Sequence, residues 1–401
     1  MNSRYFQNNQ CETGKSENML QLKKLLLILF FVAAGVNGVY KYLDKGVLSA
    51  HSQWDLRSHI IAFNWEMNDR PETEAGHPQV YLPPYTPVAF PILDAFGELD
   101  WPVAKLLWLI TVSLGLMWCF VQSIAAANQD KREFEKKMLL LLASFTWLFP
   151  ATFIALAAGQ MSLLVSILLT AFFTQQNQRP ALAIFCLAVS TAKLTLAAPF
   201  FLVLFYQGKY RMLIAAAGLA ILLNFIISFF YLGPIGHLEH MWNAAAGLEA
   251  LGVNSYLKMG ASGRIDLAPL AATFDIYGWL LMALLTVIAI GGFWTIYRTK
   301  EHSDGQILLL NLNLLFFALM YHRQYDLVII LILALPIVWK NREYLKIWHL
   351  AGLLPLVLPL QSIYSHGVQY FPEIAILWNI VGSATIISLV TLAAIINFRP
   401  Q

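Results

Sequence analysis

Residues 181–206 read ALAIFCLAVSTAKLTLAAPFFLVLFY. The run is long enough to cross a hydrocarbon core about 30 Å thick, yet Lys193 stands in its middle. A lysine at the centre of a membrane helix costs roughly 2.5–3.5 kcal/mol on insertion scales. Whether the run crosses the bilayer or turns back within it decides the topology of everything that follows.

The rest of the chain sets the context. Of 401 residues, 58% are hydrophobic and 12% charged, where soluble domains carry about 25% charge. Apolar runs fall near 24–42, 102–125, 138–155, 161–174, 181–206, 212–232, 274–297, 306–321, 326–339, 347–362 and 374–397. This pattern predicts an all-α polytopic membrane protein in which bilayer thickness, not a soluble core, sets the architecture. Residues 1–23 form a polar N-terminal tail, and 24–399 form one integral membrane domain with large polar loops at 43–101 and 233–273. Lys23 and Lys24 precede the first apolar run, which reads as a retained span. The cysteines (Cys11, Cys119, Cys186) lie far apart and match no metal site or disulfide framework. No P-loop or dinucleotide fingerprint is present. The expectation is therefore no metal, no cofactor and no nucleic-acid partner.

Lysine and arginine placement sets orientation. With the N-terminus inside, the tract NQDKREFEKK (128–137) and Arg179 also fall inside. If 181–206 crosses once, Lys209, Arg211, Arg298, Lys300, Lys340, Arg342, Lys346 and Arg399 land outside. If it enters and returns, all of them land inside, and the inner face holds 17 Lys+Arg against 8 on the outer face. The second arrangement satisfies the rule. Each arm of such a re-entrant hairpin spans only about 18 Å, so its tip, Ser190–Thr195, sits at mid-membrane beside a polar cavity. The competing interpretation is one tilted span whose lysine is paired to a carboxylate.

The hairpin topology gathers polar residues on the outer side. HSQWDLRSHIIAFNWEMN (51–68) reads as an interfacial helix with Leu56, Ile60, Phe63 and Met67 along one stripe. Asp55, Ser58 and His59 share another side, which could equally be a solvated face. VYLPPYTPVAFP (80–91) has four prolines in nine residues and takes a stiff extended path, with Tyr81, Pro83 and Pro84 as a cleft wall or an interface anchor. ALAAGQMSLL (155–164) turns at Gly159–Gln160. GVNSYLKMGASGR (252–264) offers the donors Asn254 and Ser255. MYHRQYDLV (320–328) places His322, Arg323 and Asp326 in a short outer turn, more ionisable groups than an anchor needs.

The order Asp55, Tyr81–Pro84, Gly159–Gln160, Lys193, Asn254–Ser255, His322–Arg323 resembles the C-type glycosyltransferases, specifically glycosyltransferase family 87, the polyprenyl-phosphate-mannose-dependent membrane mannosyltransferases. WDLRSHIIAF resembles that family's Asp-Leu segment, YLPP its Tyr-x-Pro-Pro, and AGQMSLLVSILL its Gly-Gln turn. The 181–206 run followed by QGKYR resembles its small-residue hairpin with one lysine.

The resemblance implies a bundle of about ten full spans plus a re-entrant hairpin and outer-face interfacial helices. It implies an inverting hexosyl transfer from a polyprenyl phosphate sugar, mannose being the usual one, to a glycan, lipid or protein acceptor at the outer face of the plasma (inner) membrane. Asp55 is then the expected general base, with Asp44 as competitor. Lys193, His322 and Arg323 are the expected phosphate ligands, the phosphate also offsetting the buried lysine's cost. His59, Tyr81, Pro83, Pro84, Gln160, Asn254 and Ser255 would line the cleft. A secondary transporter or a lipid-linked glycan flippase or polymerase is the alternative, since broken helices and midplane charges mark transporters too.

Overall fold

The computed structural model describes residues 56–61, 85–127, 150–233, 236, 239, 267–272, 274, 276, 278–299, 305–320, 322, 324–341, 345–357 and 378–397. Among these, the regular structure is helical throughout, with no strand. Residues 56–61 are helical (α1), followed by α2 (Phe90–Gly97), α3 (Trp101–Ala127), α4 (Pro150–Ala158) and α5 (Met161–Gln175). Then come α6 (Pro180–Ser190), α7 (Leu194–Tyr206), α8 (Tyr210–Leu232), α9 (Leu267–Ala272) and α10 (Gly278–Thr299). The C-terminal part has α11 (Gly305–Leu319), α12 (Val328–Lys340), α13 (Ile347–Val357) and α14 (Trp378–Ile396). Three 3-10 turns intervene, Pro87–Ala89, Thr191–Lys193 and Gln324–Leu327. The apolar runs expected from 102 onward thus match helices as far as they are described; of 138–155 only the end is, and 358–362 and 374–377 lie outside the described residues. The run 24–42 lies outside the described residues.

Four described segments are long and apolar enough to cross a membrane: Trp101–Ser123, Pro180–Tyr206, Tyr210–Leu232 and Gly278–Thr299. This marks a membrane protein. Helices α8 and α10 carry large exposed apolar side chains, among them Ile221, Phe230, Trp279 and Val287, as lipid-facing helices do. Helix α12 is the opposite case. Val328 to Leu333 are all buried, and the backbone of this central helix is reached by Ser123 Oγ at Ile332 O (2.6 Å) and Gln306 Nε2 at Leu333 O (2.9 Å).

Although Pro180–Tyr206 has the length of a span, its contacts show that the chain reverses at its middle. Lys193 Nζ donates to Ser162 Oγ at 2.8 Å, in the first turn of α5. Lys209 Nζ, just beyond α7, donates to Gln176 Oε1 (2.9 Å) and Asn177 Oδ1 (3.2 Å), just beyond the other end of α5. A straight 27-residue helix would be about 40 Å long, whereas the 15 residues of α5 measure about 22 Å. Both α6 and α7 therefore run alongside α5, in opposite directions. Phe172 of α5 meets Phe200 of α7 edge to face, 6.0 Å between centroids.

Local chemistry fixes the bends. Gly159 (φ 71°) ends α4, with Gln160 N–H donating to Ala155 O and Gly159 N–H to Leu156 O. Gly208 (φ 70°) ends α7 in the same way, through Lys209 N–H to Leu204 O and Gly208 N–H to Phe205 O. These are Schellman caps, which favour glycine in the left-handed position. Pro180 starts α6 where its missing N–H costs nothing. At Lys193 the backbone leaves the helix (φ −126°, ψ 86°) before α7 begins.

Candidate functional site

The middle of the reversed segment is held from two sides. On one side is the carboxylate of Asp326, in the 3-10 turn that precedes α12. Lys193 Nζ lies 2.5 Å from Asp326 Oδ1, and Ser162 Oγ donates to the same oxygen at 2.6 Å. The Asp326 side chain is 3% exposed and that of Lys193 16%. The Lys193 ammonium, the Ser162 hydroxyl and His322 thus surround the Asp326 carboxylate. The cost of a lysine at this depth is therefore met by a carboxylate within the protein. The lysine is paired to a carboxylate, and the chain turns beside it.

His322 completes this side. Its ring is fully buried and stacks on Phe317, centroids 4.0 Å apart and planes at 8°. Its Nδ1 is 3.4 Å from Asp326 Oδ2, an ion-pair distance without hydrogen-bond geometry. Neither ring nitrogen has a hydrogen-bond partner among the described residues.

The other side is the chain entering α2. Thr86 Oγ1 donates to Thr191 O (3.0 Å), and Thr86 N–H to Ala192 O (3.3 Å). Asn224, from the interior of α8, accepts from Val88 N–H at 3.1 Å and donates to Thr191 Oγ1 at 3.3 Å and to Ala220 O at 2.9 Å. Tyr85 is buried and meets the His59 ring edge to face, 4.9 Å between centroids.

Helix α1 closes the group. Leu56 and Ile60 are buried, as the apolar stripe predicted. His59 departs from a solvated face. The residue keeps an intermediate share of its surface, but Nδ1 is sealed from solvent with no hydrogen-bond partner among the described residues. Burial, and then the Lys193 charge, lower its pKa below the usual histidine value. Helix α1 thus sits within electrostatic reach of Lys193.

Of the residues singled out in the sequence, the structure gathers Lys193, His322 and Asp326, with His59 within reach of the Lys193 charge. Gln160 is buried two residues before Ser162. Asp55, Tyr81, Pro83, Pro84, Asn254, Ser255 and Arg323, and the alternative base Asp44, lie outside the described residues, although Asp55 directly precedes α1. Sequence reasoning did not identify Ser162, Asn224 or Thr191, and did not assign Asp326 as the lysine's partner. A polar residue stranded in an apolar run was the available signal for the first two. Among the described residues, no three His, Cys, Asp or Glu side chains gather as a metal site would require.

The family model described as glycosyltransferase family 87 matches residues 81–322, about three fifths of the chain. The matched stretch begins at Tyr81, contains the whole reversed segment and ends at His322, so Asp55 lies upstream of it. No curated protein and no solved structure matches the chain.

Proposed function

Because the chain belongs to glycosyltransferase family 87, we propose that it transfers a hexose, mannose first, from a polyprenyl phosphate sugar to an acceptor hydroxyl at the outer face of the plasma membrane. The acceptor is a glycan, a lipid or a protein. The observation that carries this reading is the cluster of Lys193, Asp326 and His322, with His59 of α1 close enough to feel the Lys193 charge.

In this reading the segment Pro180–Tyr206 is a re-entrant hairpin. It enters from the cytoplasmic side of a bundle of about ten spans and brings its tip to an extracytoplasmic cavity. The reaction is a single displacement with inversion. The acceptor oxygen attacks the anomeric carbon, its proton passes to the Asp55 carboxylate, and the bond from that carbon to the phosphate oxygen breaks. A positioned base contributes typically about 10²–10⁴-fold. The leaving polyprenyl phosphate gains charge, which cations in a dry site stabilise more strongly than in water.

Since Asp326 already neutralises Lys193, the phosphate cannot rely on that ammonium alone. Arg323, which can meet phosphate oxygens bidentately, and His322 Nε2, which has no hydrogen-bond partner among the described residues, share the role.

The test is direct. Purified protein in lipid bilayers, with no ion gradient, is given a panel of labelled polyprenyl phosphate sugars and extracts containing acceptors. Consumption of one sugar is expected. Consumption of none would remove the reading and favour a transporter. Asp55→Asn is expected to insert normally and lose transfer by about 10²–10⁴-fold. If it turns over like the wild type, Asp44 replaces it as the candidate base.

A further inference from the structure

Helix α8 reads YRMLIAAAGLAILLNFIISFFYL, and Asn224 is the one amide side chain in it. An amide in an apolar helix is costly unless its hydrogen bonds are made. Asn224 makes three, and two of them leave its own helix. One holds the backbone of Val88, the other the side chain of Thr191. Thr191 and Ala192 are also the residues whose carbonyls receive Thr86. Lys193 follows immediately, with a non-helical backbone, and its Nζ is fixed from the opposite side by Ser162 and Asp326.

We propose that Asn224 is a positioning residue for glycosyl transfer, setting the tip that carries Lys193 against the segment 86–88 that follows Tyr81–Pro84. This rests on the glycosyltransferase reading above. The lysine is clamped at both ends of its length, its backbone from the α2 entry and its ammonium from the α12 entry. Loss of the first clamp leaves the ion pair intact and lets the tip shift relative to the 86–88 segment. Misplacement of about 1 Å, even by a change far from the chemistry, costs about 10²-fold in rate.

The experiment measures turnover and donor KM, per folded molecule, for the wild type, Asn224→Leu, Thr191→Val and Thr191→Ser. Thr191→Val removes the far end of the same bond, and with it the hydroxyl's local bond to Ala188 O, at nearly constant shape, and Thr191→Ser keeps the hydroxyl. We expect turnover to fall between ten- and a hundredfold (about 10²-fold at most) in Asn224→Leu and Thr191→Val, with donor KM within about twofold. Thr191→Ser should restore most of the rate, and the double variant Asn224→Leu/Thr191→Val should be no slower than Asn224→Leu alone. A purely stabilising role would change melting temperature and yield but leave turnover per folded molecule intact, and that outcome overturns the proposal. So does a rate loss in the double variant that multiplies the two single losses. If Asn224→Leu fails to fold, the Thr191→Val and Thr191→Ser pair decides alone. A wild type that consumes no lipid-linked sugar overturns the function reading itself, an outcome distinct from a wild type that works beside variants that work equally well.

Discussion

Removing the Asp326 carboxylate tests the physical centre of the molecule. In Asp326→Ala the Lys193 ammonium keeps Ser162 Oγ at 2.8 Å but loses an anionic partner at 2.5 Å. Breaking a buried ion pair by deleting one member costs about 3–5 kcal/mol, because a desolvated charge is left behind. Lys193 retains 16% of its side-chain surface, which relieves part of that penalty. The expected loss is therefore near the lower end, about 3 kcal/mol. Lys193→Met removes the cation beside the carboxylate instead, and Asp326 is only 3% exposed, so its loss should be at least as large. The double variant Lys193→Met/Asp326→Leu removes both charges. Replacing a buried pair by apolar residues of similar volume is often neutral, or stabilising by about 1–4 kcal/mol, so stability should return to the wild-type level or above.

Thermal unfolding in lipid nanodiscs, followed beside the transfer rate, reads both properties. Stability should fall in each single variant and recover in the double one, while transfer stays absent in the double variant. Two results would refute the reasoning. If Asp326→Ala melts within about 1 kcal/mol of the wild type, the pair does not hold the tip. If the double variant is stable and fully active, Lys193 is only a structural charge.

Three further outcomes are expected. Arg179→Cys and Arg211→Cys flank the reversed segment at exposed positions, and both should react with a membrane-impermeant maleimide from the cytoplasmic side only; labelling from opposite sides would mean that the segment crosses. The His59 pKa is depressed in the folded protein, so the unfolded chain binds its proton first, and the docking of α1 weakens as pH falls below 6.5, by at most about 1.4 kcal/mol per pH unit. The protection factors of residues 56–61, that is, exchange rates corrected for intrinsic exchange, should therefore fall as pH drops from 6.5 to about 4, and His59→Phe should abolish that fall. Gly352→Ala drives a methyl group into Thr391 Oγ1 and to 3.0 Å from its Cβ, so the α13–α14 contact must open, at about 1–3 kcal/mol, read as a lower melting temperature.

The helices were legible because each apolar run ends at residues with a mechanical meaning, such as Gly159, Pro180 and Gly208. The partners of Lys193 were not, since Ser162 is 31 residues away and Asp326 is 133, and helices apolar all round do not announce which faces meet. Depth, however, carries information that a flat sequence hides. Ser162 is 13 residues from the end of α5 at Gln175, or about 20 Å. Lys193 is 13 residues from Tyr206, again about 20 Å, and Asn224 is 14 residues from Tyr210, about 21 Å. Gln176 and Lys209 are hydrogen-bonded at the common base, so a chain that reverses brings all three polar groups to one level. A chain that crossed would carry Lys209 to the far surface, the side where α5 begins. Lys193 would still reach the level of Ser162, but Lys209 would lie about 40 Å from Gln176, beyond the hydrogen bond that joins them. The direction of one segment thus determines which polar residues can satisfy one another. Each stranded polar side chain in turn argues for the path that gives it a partner.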